Sequence, residues 1–146
     1  MKIAIGCDHG GFKLKEELIK FLKAAGHSVK DFGSFSQEPS DYPLFGYKVA
    51  RAVSSGKFSR GIAICKTGIG MAIITNKVRN VRAAVIRDSE SAISCRQHND
   101  CNVIVFGAKF MAPKKAKEIL KVWLKTRALG GRHRRRVDQI KELEAC

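Results

Sequence analysis

The segment Cys65-Lys-Thr-Gly-Ile-Gly70 joins a short apolar run to a helical pattern. Gly68 and Gly70 allow successive backbone N–H groups to turn toward one point, and a helix start adds partial positive charge. Such a turn suits an oxyanion or a phosphate. It has neither the Gly-x-x-x-x-Gly-Lys-Ser/Thr spacing of a P-loop nor a Gly-x-Gly-x-x-Gly fingerprint. A thiolate at Cys65 would serve there as base or nucleophile. The plainer alternative is a small apolar residue at a strand end. His9, in Asp8-His9-Gly10-Gly11, could hold an anion or shuttle a proton, while Asp8 could equally cap the next helix. In His98-Asn99-Asp100, the imidazole is a candidate general acid or base and Asn99 a donor to a substrate hydroxyl; a polar turn before a strand has the same composition. Cys95-x-x-His98-x-x-Cys101 looks metal-like, but three groups at one helix end without a fourth ligand make a poor zinc site.

The largest charge feature is Gly130-Gly-Arg-His-Arg-Arg-Arg136. Arg132 and Arg136 are four apart and share one helical face, a spacing that suits forked contacts to one phosphate. A solvated basic helix is the alternative. The chain carries a formal net charge of +15, and 12 basic against 4 acidic residues from Lys109 to Cys146 supply +8 of it. Anionic partners follow: phosphates, nucleic acid or an acidic surface. Against nucleic acid, aromatic residues are 8% of the chain and none interleaves with the arginines, so a stacking platform is lacking.

The elements that must position these groups alternate. Short apolar runs at Lys2–Cys7, His27–Gly33, Gly61–Cys65, Val81–Ile86 and Asn102–Gly107 read as strands. Helical spacing covers Gly11–Ala25, Tyr42–Ser55, Met71–Val78, Ser89–His98, Ala112–Arg127 and His133–Glu144. Pro43 fits the first turn of its helix, and Gly26 and Gly130-Gly131 act as stops. Five β/α units give an α/β fold, a parallel sheet with helices on both faces. In such sheets ligands bind outside the carboxyl ends of the strands. Those ends are Asp8-His9, the Cys65–Gly70 turn, Arg87-Asp88 and Gly107–Lys109.

With 146 residues, 45% hydrophobic and 28% charged, the chain is expected to form a single domain over 1–146. Its apolar runs are too short to span a bilayer, and Asp8 and His9 interrupt any signal-peptide core, so no membrane association and a cytoplasmic location are expected. Five cysteines without a Cys-x-x-Cys pair fit a reducing compartment better than a disulfide framework.

Taken in order, Gly6-Cys-Asp-His-Gly-Gly11, Asp41-Tyr-Pro43, Cys65-x-Thr-Gly-Ile-Gly-Met71 with Asn76-Lys77, Arg96-Gln-His-Asn-Asp100 with Asn102-Val103, and Gly130-Gly-Arg-His-x-x-Arg136-Val137 resemble the ribose-5-phosphate isomerase B / galactose-6-phosphate isomerase family across nearly the whole chain. The resemblance implies a Rossmann-like three-layer α/β/α sandwich with a five-stranded parallel sheet and a C-terminal helical extension. It implies a homodimer or dimer of dimers with shared active sites. Cys65 matches the base that moves a proton between C2 and C1 of an open-chain sugar phosphate. His98 matches the group that opens the furanose ring, reaching in from the neighbouring subunit. Asp8, His9, Tyr42 and Asn99 match substrate contacts. Lys66, Thr67, Gly68, Ile69 and Gly70 match the anion hole, and Arg132 and Arg136 the phosphate clamp. Lys66 stands where the family usually has Gly, and Lys109 where many members have a phosphate-binding Arg.

The implied reaction interconverts D-ribose 5-phosphate and D-ribulose 5-phosphate through a cis-enediolate, in the pentose phosphate pathway, with no metal or other cofactor. Cys65 resembles this branch, since the galactose 6-phosphate branch generally lacks a cysteine there. Two alternatives stand beside it: an isomerase of allose or galactose 6-phosphate with the same fold, and a non-catalytic relative that binds nucleic acid through its positive charge.

Overall fold

A computed structural model describes residues 1–145, so Cys146 lies outside the described residues. Among them, strands and helices alternate as β1 (Lys2–Cys7), α1 (Phe12–Ala24), β2 (Ser28–Asp31), α2 (Tyr42–Ser54), β3 (Arg60–Cys65), α3 (Ile69–Thr75), β4 (Ala83–Val85), α4 (Ser89–Asn99), β5 (Val103–Gly107), α5 (Pro113–Lys125) and α6 (Arg132–Leu143). The strands form one parallel sheet in the order β2-β1-β3-β5-β4. The chain leaves β1 toward β2 and then returns to β3 on the other side. The crevice between the tips of β1 and β3 is therefore a topological switch point, where α/β sheets bind ligands.

Alternation along the strands divides the core unequally. Ile3, Ile5, Ile62, Ile64, Ile104 and Phe106 face α1, α4 and α5, where Leu18, Ala92, Ile119 and Trp123 meet them. The opposite face carries Ala4, Ala63, Val103 and Val105 under Val49, Val53 and Met71 of α2 and α3. Small strand residues let α2 lie close. A Cβ on Gly6 would stand 2.8 Å from a Val49 methyl, and one on Gly61 would meet Val103, Val49 and Val53 at 2.9–3.0 Å. Lys15 of α1 is fully buried and paired with Asp31 of β2 and, at 2.9 Å, with Glu16, which ties that helix to the sheet edge.

Sequence patterning places all five strands and all six helices, and the ends of β2, β4 and α3 are among those corrected. The expected strand over 27–33 pairs only over Ser28–Asp31, because the Asp31 carboxylate turns back to accept from the Gly33 amide at 2.8 Å. At the other edge β4 shrinks from 81–86 to Ala83–Val85. The helix expected over 71–78 runs instead over Ile69–Thr75. Gly68, at φ 84°, starts it. The Asn76 side chain ends it by donating to the Ala72 and Ala83 carbonyls and accepting from the Ala83 amide, each at 2.9 Å. α6 packs against α4 rather than against the sheet, as a C-terminal extension. No helix among the described residues is long and apolar enough to cross a membrane.

Gly61→Ala forces a methyl into three valine side chains, and overpacking of this kind costs about 1–3 kcal/mol. Urea denaturation is expected to show a lowered midpoint with an unchanged slope; an unchanged midpoint would mean that α2 has room to retreat.

Candidate active site

Cys65 is the last residue of β3, and its Sγ accepts a hydrogen bond from the Gly68 amide at 3.1 Å. The bond needs Gly68 in the left-handed region, which glycine enters without steric cost. The turn is pressed flat on the end of β5. A Cβ on Gly107 would stand 2.4 Å from the Thr67 carbonyl oxygen, and the Lys109 amide donates to the Lys66 carbonyl at 3.0 Å. Thr67 Oγ1 receives the Ile69 amide at 3.4 Å. The first amides of α3 have no carbonyl one turn back; that of Ile69 is met by Thr67, which leaves the Gly70 amide as a donor beside the thiol. The Tyr42 ring lies over Gly70, within 2.6–2.9 Å of where a Cβ would be.

Asp8 follows β1 and is buried; its Oδ1 accepts from the Gly11 amide at 3.1 Å, the capping role that its position allowed. His9 is exposed and is held by the 34–41 loop. Lys66 and Lys109 are also exposed, and with His9 and Lys13 they line one open groove beside the Cys65 turn. Glu17 in the same groove is engaged by Lys117 at 2.9 Å. The groove is thus an anion-attracting surface at the strand tips.

His98, Asn99, Arg132 and Arg136 lie elsewhere. The sheet register pairs Gly61 with Val103 and Cys65 with Gly107. The end of α4 precedes Val103, so it sits at the opposite edge of the sheet, at least about 13 Å from Cys65 at a strand rise of roughly 3.3 Å per residue. There the Asp100 carboxylate binds Arg96 at 2.7 Å and Arg82 at 3.1 Å, and Arg82 Nε donates to the Asn99 carbonyl at 3.0 Å. The His98 ring stacks on that of His133 of α6, with centroids 4.4 Å apart and planes 10° from parallel. Arg132 and Arg136 are exposed on the same helix. The residues singled out in the sequence therefore form two clusters, one at each end of the sheet.

His133 was present in the sequence motif without a role, and the stack gives it one. Desolvation, then the neighbouring His98, Arg132 and Arg136, hold its imidazole below the ordinary histidine range. The metal-like spacing does not converge: Cys95 and Cys101 turn into the core, where the Cys95 thiol donates to the Ala92 carbonyl at 3.3 Å, while His98 stacks outward. The neighbouring Cys95 and burial raise the Cys101 thiol, while the Cys101 side chain holds Cys95 low against its own burial. No group of three or more metal-ligating side chains is gathered among the described residues. Cys7 points into the core opposite the site, and burial pushes its thiol up to about 12.

The family model described as Ribose/Galactose Isomerase matches residues 3–140. The chain is 45% identical over 143 residues to ribose-5-phosphate isomerase B of Escherichia coli, covering 98% of this chain and 96% of that protein. Among solved structures, ribose-5-phosphate isomerase B of Clostridium thermocellum superposes with a TM-score of 0.97 at 49% identity, covering 99% of this chain and 98% of that one. The enzyme of the same name from Mycoplasma genitalium, solved with bound ribulose 5-phosphate, superposes with a TM-score of 0.94 at 35% identity, covering 99% and 96%.

A lowered His133 has a signed consequence. Its contribution to stability is complete above the ordinary imidazole range and is lost as pH falls through the lowered value, when both the ring and its cationic neighbours are charged. NMR titration is expected to show His133 taking its proton at lower pH than a free imidazole, and Arg132→Gln should move that pH upward. A titration unchanged by the substitution would remove the arginine from the explanation.

Proposed function

The chain belongs to the Ribose/Galactose Isomerase family, and from that premise we propose that it interconverts ribose 5-phosphate and ribulose 5-phosphate. The observation that carries the mechanism is the Cys65 sulfur, held by the Gly68 amide at the start of α3 beside a cationic groove. On the open-chain aldose, the Cys65 thiolate takes the proton from C2. The electron pair moves into the C1–C2 bond and leaves an enediolate whose O1 is received by the amides of Lys66–Gly70. The proton on O2 passes to O1, and the thiol returns its own proton to C1, giving the ketose. Each backbone donor of this type contributes about 3–4 kcal/mol to lowering such a barrier.

Two further groups are needed, one to open the furanose ring and one to grip the phosphate. His98, Asn99, Arg132 and Arg136 have the right chemistry but stand at the wrong end of the same chain. A second copy supplies them, so the working unit is a homodimer or a pair of dimers with shared sites. Exposed apolar side chains at the mouth of the Cys65 cluster, Tyr42, Leu44, Tyr47, Ile69 and Ile73, support a covered surface there. His9 and Lys109 contribute to the phosphate end from the first copy. Asp8, with Oδ1 engaged, offers its other oxygen to a sugar hydroxyl, and Tyr42 lines the mouth. Free cysteines, four of them buried, fit a reducing cytoplasm.

Purified protein is expected to form ribulose 5-phosphate from ribose 5-phosphate with a chelator present. Cys65→Ser should lower kcat by about 10²-fold or more. Full turnover by that variant would displace Cys65 as the base. A higher kcat/KM on allose 6-phosphate or galactose 6-phosphate than on ribose 5-phosphate would reassign the substrate.

A further inference from the structure

We infer that Ser40 is a positioning residue that fixes the tautomer of His9, so that the ring presents its Nε2–H to the anionic end of the sugar phosphate; this rests on the isomerase reading above. Three contacts hold the histidine to one residue 31 positions away. The His9 amide donates to Ser40 Oγ at 3.1 Å, the Ser40 amide donates to His9 Nδ1 at 3.1 Å, and the Ser40 carbonyl oxygen lies 3.2 Å from the same Nδ1. Nε2 has no hydrogen-bond partner among the described residues.

A neutral imidazole carries one proton, and which nitrogen holds it follows from what faces the other. With the proton on Nδ1, two N–H groups would point at each other across 3.1 Å. With it on Nε2, Nδ1 accepts from the Ser40 amide at 3.1 Å, and the 3.2 Å contact with the Ser40 carbonyl oxygen carries no hydrogen bond. The amide has a single proton in a fixed direction, so the amide decides the tautomer.

The tautomer matters because of what Nε2 meets. His9 shares its groove with Lys13, Lys66 and Lys109, and the one carboxylate there, Glu17, is taken up by Lys117. A ligand drawn into this groove is anionic. An Nε2 lone pair would repel its oxygens, whereas an Nε2–H donates to them. Ser40 thereby converts a histidine of either polarity into a committed donor without touching the substrate.

The test is nitrogen-15 NMR of the intact protein above the titration range of the imidazoles, with His9 assigned through His9→Asn. The expected state is a single Nε2–H tautomer. Ser40→Pro removes the amide proton; a mixed tautomer is expected, with KM for ribose 5-phosphate raised roughly tenfold and kcat within about twofold. Ser40→Ala keeps the amide and should keep the tautomer, with KM within about threefold. His9→Gln, whose amide nitrogen falls near Nε2, should bind better than His9→Asn. An Nδ1–H or freely exchanging wild-type His9 overturns the proposal, whether or not Ser40→Pro folds. So does a folded Ser40→Pro with native tautomer and native KM. Absence of turnover in the wild-type protein would instead sink the isomerase reading, and the tautomer would still decide the role of Ser40.

Discussion

All five strands run in one direction, and this single constraint governs where chemistry can occur. Each return to the start of a strand is made by a helix, so every strand tip lies at one edge of the sheet and every returning helix ends at the other. Cys65 belongs to a tip and His98 to a returning helix. No adjustment of side chains brings them together within one chain. The fold therefore separates two clusters of candidate residues, and the proposed shared site depends on how copies of the chain associate.

Within the tip cluster, geometry depends on missing side chains more than on present ones. Gly107 admits the Thr67 carbonyl, Gly70 admits the Tyr42 ring, and Gly68 takes the backbone conformation that sends its amide to the Cys65 sulfur. Lys66 fits this arrangement, although a side chain there departs from the family pattern. The tight approaches fall on the glycines around it, and its own side chain points outward into the groove. The added charge reinforces the positive groove that Lys109 also borders.

The sequence made the sheet legible because its strands are short, apolar and closed by glycine or polar residues, and because the helices between them carry apolar residues at helical spacing. The tip residues followed from that pattern, since a strand end is a place in the sequence as well as in space. The boundaries that shifted are those set by single side chains: Asp31 turning back to Gly33, and Asn76 bridging α3 and β4. The His98–His133 stack and the hold of Ser40 on His9 join residues 35 and 31 positions apart. No local pattern encodes such pairs; they appear only once the helices and the 34–41 loop are folded onto their neighbours.

The claim that the site is shared between two copies is tested most directly by mixing two inactive variants, Cys65→Ala and His98→Ala, after dissociation and reassociation. In a mixed dimer one site unites the intact Cys65 of one copy with the intact His98 of the other, and the second site lacks both. Random pairing makes half the dimers mixed, so recovery of about a quarter of native turnover is predicted. A mixture no more active than its separate components would contradict the shared site and return the reaction to groups within one chain.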